Sequence, residues 1–259
     1  MRRTKLYILL IITLFALGGT AFLVARNAAH VERISKGKPR TASVHRDTTS
    51  SSRNYKELLA RLEAKRLGLA SRYQQASSAE RAARMAEARI VITQAIYDEI
   101  FPAWYGTAWD FNGTSEVPQQ GKIACGYFVT TVLRDAGLKV QRVRLAQQAS
   151  EQIILSLTTE PLVKRFRRVA IGDFVNAVKE WGPGIYIVGL DVHVGFVANT
   201  GDEVYFIHSS YVDPFMVVSE RAIESPVLIA SKYRVLGKVF ADDRLISDWL
   251  LGKPINLYR

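Results

Sequence analysis

The chain has 259 residues, 48% of them hydrophobic, and a formal net charge of +11. That length and apolar content suit one packed domain with appendages and exclude wholesale disorder. A single cysteine excludes an intramolecular disulfide framework and any Cys-rich metal site. Residues 1–57 hold eleven Lys/Arg against three Asp/Glu, while the remainder holds 24 against 21, so the basic excess is N-terminal and the body is nearly balanced.

The N-terminus reads "MRRTK" and then "LYILLIITLFALGGTAFLVA", residues 6–25, twenty positions without a charge. As a helix this run spans about 30 Å, the thickness of a hydrocarbon core. A secretory signal has a shorter apolar stretch of about 7–15 residues and a small-x-small cleavage site. "FLVARN" is a poor site, and no cysteine follows to carry a lipid. Residues 1–25 are therefore expected to form an uncleaved signal anchor, with a cleaved signal and a buried core helix as alternatives. Basic residues flanking an apolar run suit a membrane surface, and neither an RNP-like sequence nor a zinc-finger spacing argues for nucleic acid as a partner. Arg2, Arg3 and Lys5 precede the apolar run, while Arg26, Arg33, Lys36, Lys38 and Arg40 follow it and pull the other way. A basic start before a first apolar segment is the usual export signal. The expected placement is single-pass in a bacterial inner membrane, with the body on the exported side.

Residues 26–53 are polar and read as a flexible basic tether, with His30 and His45 as solvated side chains in or beside it. Residues 54–100 read as a helical arm. Tyr55, Leu58, Leu59 and Leu62 recur at helical spacing, Ser77-x-x-Glu80 is a capping-box pattern, and the second helix is expected to end before Pro102. This pair serves as a spacer, as an arm that binds a protein partner, or as a structural layer of the domain.

The domain proper is expected over residues 101–259. "PAWYGTAWDFNGTSEVPQQGK" is a loop of aromatics and turn formers. In "CGYFVTTVLRDAGL" the apolar residues Phe128, Val129, Val132, Leu133 and Ala136 share a helical face, and Gly137 is placed to end the helix. Cys125 therefore falls at the first turn. "LAQQASEQIILSL" and "IGDFVNAVKEW" read as two shorter helices. After Pro183 come short β-branched or aromatic runs: "GIYIVGL", "VHVGFVAN", "EVYFIHSS", "FMVVSE" and "SKYRVLGKVF". Helices followed by strands predict an α+β fold with helices packed on an antiparallel sheet.

The chemistry concentrates in two places. A lone cysteine is either a small buried hydrophobe or a nucleophile. At a helix start its thiolate is favoured by the dipole and the free N–H groups, and a neighbouring imidazolium lowers its pKa further. The remaining histidines, His193 and His208, lie on successive strands. If Asn199 and Asp202 close the intervening turn, the two face each other with Cβ atoms about 4.5–5.5 Å apart. Such a pair is either part of a metal site, needing further ligands such as Asp191, or a general base and the residue that orients it. With Cys125 as nucleophile the second arrangement makes a cysteine hydrolase.

Two stretches resemble a known family. "GTAWDFNGTSEVPQQGKIACGYFV" is similar to the nucleophile segment of the NlpC-like cell-wall cysteine peptidases, which reads G-T-x-Y, then G-G-T, then D-C-S-G-F-V. "HVGFVANTGDEVYFIHSS" resembles their H-V-G strand, turn and second histidine. The resemblance spans residues 104–210, under half of the chain. It implies a small papain-like fold, Cys125 as nucleophile, His193 as general base and His208 as the orienting third member. It also implies no metal and no cofactor, and hydrolysis of amide bonds in peptidoglycan stem peptides or another amide-containing polymer. Trp109 stands where the family has a tyrosine near the oxyanion hole, with Tyr105 as the other candidate. Ala124 replaces the family's Asp, and Gly126-Tyr127 its Ser-Gly, so Tyr127 borders the cleft. These departures leave open a catalytically silent scaffold or an acyltransferase on the same fold.

Overall fold

The computed structural model describes residues 48–258. The apolar segment 6–25 and most of the 26–53 tether lie outside them. Among the described residues no helix is long and apolar enough to cross a membrane.

The described residues begin with α1 (Thr48–Gln75), whose first turns fall inside the stretch expected to be tether. α2 (Ser78–Gln94) starts at the anticipated box: the Glu80 carboxylate accepts from both the N–H and the hydroxyl of Ser77, at 2.9 and 2.7 Å. The helix does not end before Pro102. It passes through one π-helical turn, Ala95–Ile100, into α3 (Phe101–Trp104). Proline lacks the N–H for an i−4 bond and its ring crowds that carbonyl. The wider turn shifts the bonding to i−5, with the Phe101 N–H on the Ile96 carbonyl, and carries the helix past the proline.

These helices form a layer of the domain. Tyr55, Leu62, Leu69, Ala88, Ile92, Ile96, Ile100 and Trp104 are buried in one cluster with α4 (Cys125–Asp135). Polar contacts fix the docking. The Trp104 indole donates to the Tyr55 hydroxyl at 2.9 Å, and that hydroxyl donates to Asp135 at 2.7 Å. Burial and the Asp135 carboxylate both push the Tyr55 pKa up, so the phenol stays protonated. At the other end of α1, Arg66 donates to the carbonyls of Trp249 and Leu250 that end a C-terminal helix, which favours a cation at that pole.

Two short strands, β1 (Ala108–Trp109) and β2 (Lys122–Ile123), pair in parallel and flank the loop before α4. α4 ends as its sequence suggests. Gly137 takes φ 96°, its N–H bonds the Arg134 carbonyl at 2.9 Å, and the Leu138 N–H bonds the Leu133 carbonyl at 3.1 Å, a Schellman closure. Next come α5 (Arg142–Ala146) and α6 (Ser150–Leu157), two helices where one was expected, and then β3 (Val163–Arg167), a strand ahead of the predicted β region. α7 (Ile171–Glu180) leads to β4 (Gly184–Leu190), β5 (Val194–Asn199), β6 (Val204–Ser209) and β7 (Val217–Arg221). α8 (Pro226–Ala230), β8 (Tyr233–Gly237) and α9 (Asp243–Leu251) complete the described chain.

The result is an α+β fold with a six-stranded antiparallel sheet in the order β3-β8-β4-β5-β6-β7. One face carries Ile185, Ile187, Val194, Phe196, Ala198 and Ile207, packed in the same core as α1, α2, α4 and α9. The other carries Tyr186, Val188, Val197 and Phe206, packed with Phe174 and Val178 of α7 and Leu228 of α8. Central strands buried on both faces read as continuous apolar runs, which is why "GIYIVGL" and "VGFVAN" show no polar alternation. The start of α4 meets β5 at Val194, while the His193 and His208 rings lie on the Phe206 face of the sheet.

Candidate active site

Cys125 is the first residue of α4, preceded by Ala124 in extended conformation. Local packing fixes that start. The Ala124 N–H bonds the Gly113 carbonyl at 2.8 Å, and a Cβ on Gly113 would lie 2.6 Å from the Ile123 nitrogen. The Ser209 hydroxyl donates to the Ile123 carbonyl at 2.7 Å, tying the end of β6 to the segment just before the cysteine. Gly126 is explained by α5: an added Cβ would meet the Ala146 carbonyl oxygen at 2.5 Å. Tyr127 is half-buried, and the Arg142 guanidinium lies over its ring at 4.9 Å. Arg142 itself is buried and donates to Thr131 and to the Thr114 and Ser115 carbonyls, so it ties the loop to the helix.

The hairpin departs from expectation by two residues. Asn199 pairs with Val204, and the Thr200 N–H reaches the Glu203 carbonyl at 2.9 Å, so His208 faces Gly195 rather than His193. A shift of two preserves the face, because side chains alternate with period two. The histidines are diagonal neighbours and still meet: His193 Nε2 lies 2.9 Å from His208 Nδ1, with both rings buried. Gly195 makes room, since a Cβ there would lie 2.8 Å from the His208 Cβ. Phe206 stacks on His208 with ring centroids 4.0 Å apart and planes at 17°.

Sequence reasoning missed a further member. His208 Nε2 is 3.1 Å from a carboxylate oxygen of Glu220 on β7. Glu220 pairs with Phe206 and shares its face with His208, so a register for the β6–β7 hairpin was the signal that would have found it. Burial pushes its pKa up, but the bonds from His208 and Ser225 outweigh this and hold it below the ordinary glutamate value.

Cys125 meets the same corner through the backbone. The N–H of Val194, the residue after His193, approaches its sulfur, as do the N–H groups of Gly126 and of Cys125 itself. These donors favour the thiolate, yet burial outweighs them and raises the thiol pKa above its ordinary value. This corrects the expectation of a depressed pKa from the helix start alone. His193 is held well below the ordinary histidine value by burial and then by His208, and His208 is lowered by burial. Each of these shifts favours the uncharged form of its group.

The remaining candidates divide. Trp109 lies in an aromatic wall with Tyr211 and Phe215, at centroid distances of 6.5 and 6.3 Å, and Tyr211 meets the edge of His193 at 5.1 Å. The wall is fixed by backbone bonds from Trp109 N–H to the Phe215 carbonyl and from Val217 N–H to the Thr107 carbonyl, both 2.8 Å. Tyr105 stands elsewhere, with its phenol bonded to Ser219 of β7 and its pKa pushed up to about 12 by burial. The Asp191 carboxylate is bound to Ser231 and to the N–H groups of Lys232 and Tyr233, at the start of β8. Among the described residues no three or more of His, Cys, Asp and Glu are grouped to hold a metal ion. No family model, curated protein or solved structure matches the chain.

Proposed function

We propose that this chain is a thiol hydrolase with a papain-like, NlpC-like domain that cleaves amide bonds, with peptidoglycan stem peptides as the substrate class. The observation that carries the reading is the buried His193–His208 hydrogen bond next to Val194, whose backbone N–H approaches the Cys125 sulfur at the start of α4. That pairing leaves His193 Nδ1 as the ring nitrogen available to a nucleophile.

In the reaction, His193 takes the thiol proton as the Cys125 sulfur attacks the amide carbonyl. The carbonyl oxygen gains charge, which the N–H groups at the start of α4 stabilise. The C–N bond breaks, His193 gives the proton to the departing amine, and a thioester remains. Water, deprotonated by His193, then attacks the thioester, releasing a free carboxylic acid and restoring the thiol. The shifts toward uncharged Cys125 and His193 fit this order, in which proton transfer accompanies attack. Trp109 occupies the position of the family's tyrosine and offers an indole N–H in place of a phenol. With residues 6–25 as anchor, the domain works on the exported side of a bacterial inner membrane.

Burial of the Cys125 thiol favours a second reading, a catalytically silent scaffold that binds partners through its helical layer. Full-length protein in mild detergent, incubated with purified peptidoglycan, separates the two. The wild type should release new amines and carboxylic acids in equal amounts, and Cys125→Ala should release neither while keeping its circular dichroism spectrum. A joined acyl product in place of the free acid would mark a transferase. Undiminished hydrolysis by Cys125→Ala would end the proposal.

A further inference from the structure

We infer that Glu220 is a positioning residue that fixes which nitrogen of each histidine carries its proton, making His193 Nδ1 the base; this rests on the hydrolase reading above.

The argument follows the line of hydrogen bonds inward. Glu220 is held from both sides: His208 Nε2 lies 3.1 Å from one oxygen, and Ser225, buried at the start of α8, also bonds its side chain. An ionised carboxylate is acceptor-only. His208 Nε2 must then carry its proton to make that bond. In neutral His208 the other nitrogen, Nδ1, is an acceptor. It lies 2.9 Å from His193 Nε2, so the proton of that bond belongs to His193. In neutral His193 a proton on Nε2 leaves the lone pair on Nδ1. One carboxylate at the far end thus sets the tautomers of two rings in series and aims basicity away from itself.

The reverse arrangement fails at the same atoms. With a proton on His208 Nδ1 and none on Nε2, a lone pair would face the carboxylate oxygens. A buried acceptor against an acceptor forfeits a charge-assisted bond and leaves groups unpaired. His193 would then receive a bond at Nε2 and carry its proton on Nδ1, where it could no longer accept one from a thiol. Neither ring can turn away to escape this constraint. Phe206 stacks on His208, and His193 is enclosed by Phe206, His208 and Tyr211.

The test reads the tautomers directly. Full-length protein labelled with 15N-histidine, in mild detergent at pH 8, gives imidazole spectra for four histidines. His193 and His208 should both show a protonated Nε2 and an unprotonated Nδ1. Glu220→Gln keeps the size but offers a donor as well as an acceptor, so His208 should show mixed tautomers. Its kcat on peptidoglycan should fall about tenfold with KM unchanged, and that of Glu220→Ala about a hundredfold, the lower bound of what a positioned general base contributes. A wild-type His208 protonated on Nδ1 would overturn the inference. So would a Glu220→Gln protein whose tautomers and kcat match the wild type. If Glu220→Ala does not fold, the Gln variant still decides. The wild-type spectrum is independent of turnover, so loss of the hydrolase reading through an active Cys125→Ala protein is distinguishable from failure here.

Discussion

Gly195→Ala places one methyl group at the centre of the histidine pair. The ideal Cβ would sit 2.7 Å from Phe206 Cε2, 2.8 Å from His208 Cβ and 3.0 Å from the Ile207 oxygen. None of these atoms retreats easily. Phe206 is stacked on His208 at 4.0 Å, and His208 is held at one nitrogen by His193 and at the other by Glu220. Gly195 does not adopt a positive φ, so the cost is contact rather than backbone conformation. Overpacking a filled core costs about 1–3 kcal/mol, and weakening a buried hydrogen bond adds about 0.5–1.5 kcal/mol. The expected loss is therefore about 2–4 kcal/mol, read as a lower urea midpoint at an unchanged m-value. Imidazole resonances of His193 and His208 should shift in the same sample. Gly172→Ala, on α7 with nothing within 4 Å of the added Cβ, should leave stability unchanged or slightly raised. Stability of Gly195→Ala within about 0.5 kcal/mol of wild type, with unmoved imidazole signals, would refute the packing argument.

Three further outcomes follow from the same structure. His193 and His208 have folded-state pKa values below the ordinary 6.5, so their stabilising contribution is fully present above that pH and is lost as pH falls. In that window each histidine contributes a slope of about 1.4 kcal/mol per pH unit, and a flat urea midpoint between pH 7 and pH 5 would contradict burial of the neutral rings. Alkylation of Cys125 by iodoacetamide should be slow at neutral pH and rise through a midpoint above the ordinary thiol value, whereas rapid labelling at pH 6 would show a thiolate that burial should forbid. Tyr55→Phe removes the donor to Asp135 and the acceptor for Trp104, and should cost about 1–3 kcal/mol; an unchanged thermal midpoint would mean that α1 is not locked to α4 through this contact.

Much of the site was legible because its signals are local or parity-based. The helix from Cys125 to its Gly137 terminator follows from periodicity and one glycine. The histidine pair survived a register error because a slip of two keeps both rings on one face, where a slip of one would have separated them. Glu220 was illegible for the opposite reason. Its place depends on a second hairpin whose connection, from Ser209 to Val217, carries no short-turn signature. The thiol pKa was misjudged because a sequence shows a helix start but not the burial around it. β3 was missed because "VKRFR", an edge strand rich in charge, has neither an apolar run nor clean alternation. The helical layer from Thr48 onward was readable as helix, but its burial against α4 depends on long-range partners such as Asp135 and Trp249.

The most direct measurement of the central claim is the state of the Cys125 sulfur during turnover. Full-length protein acid-quenched while acting on purified peptidoglycan, digested and weighed by mass spectrometry, should yield the Cys125 peptide carrying an acyl fragment, and hydroxylamine should remove that mass as expected for a thioester. Steady product release with the Cys125 peptide never modified and Cys125→Ala still active would contradict the account.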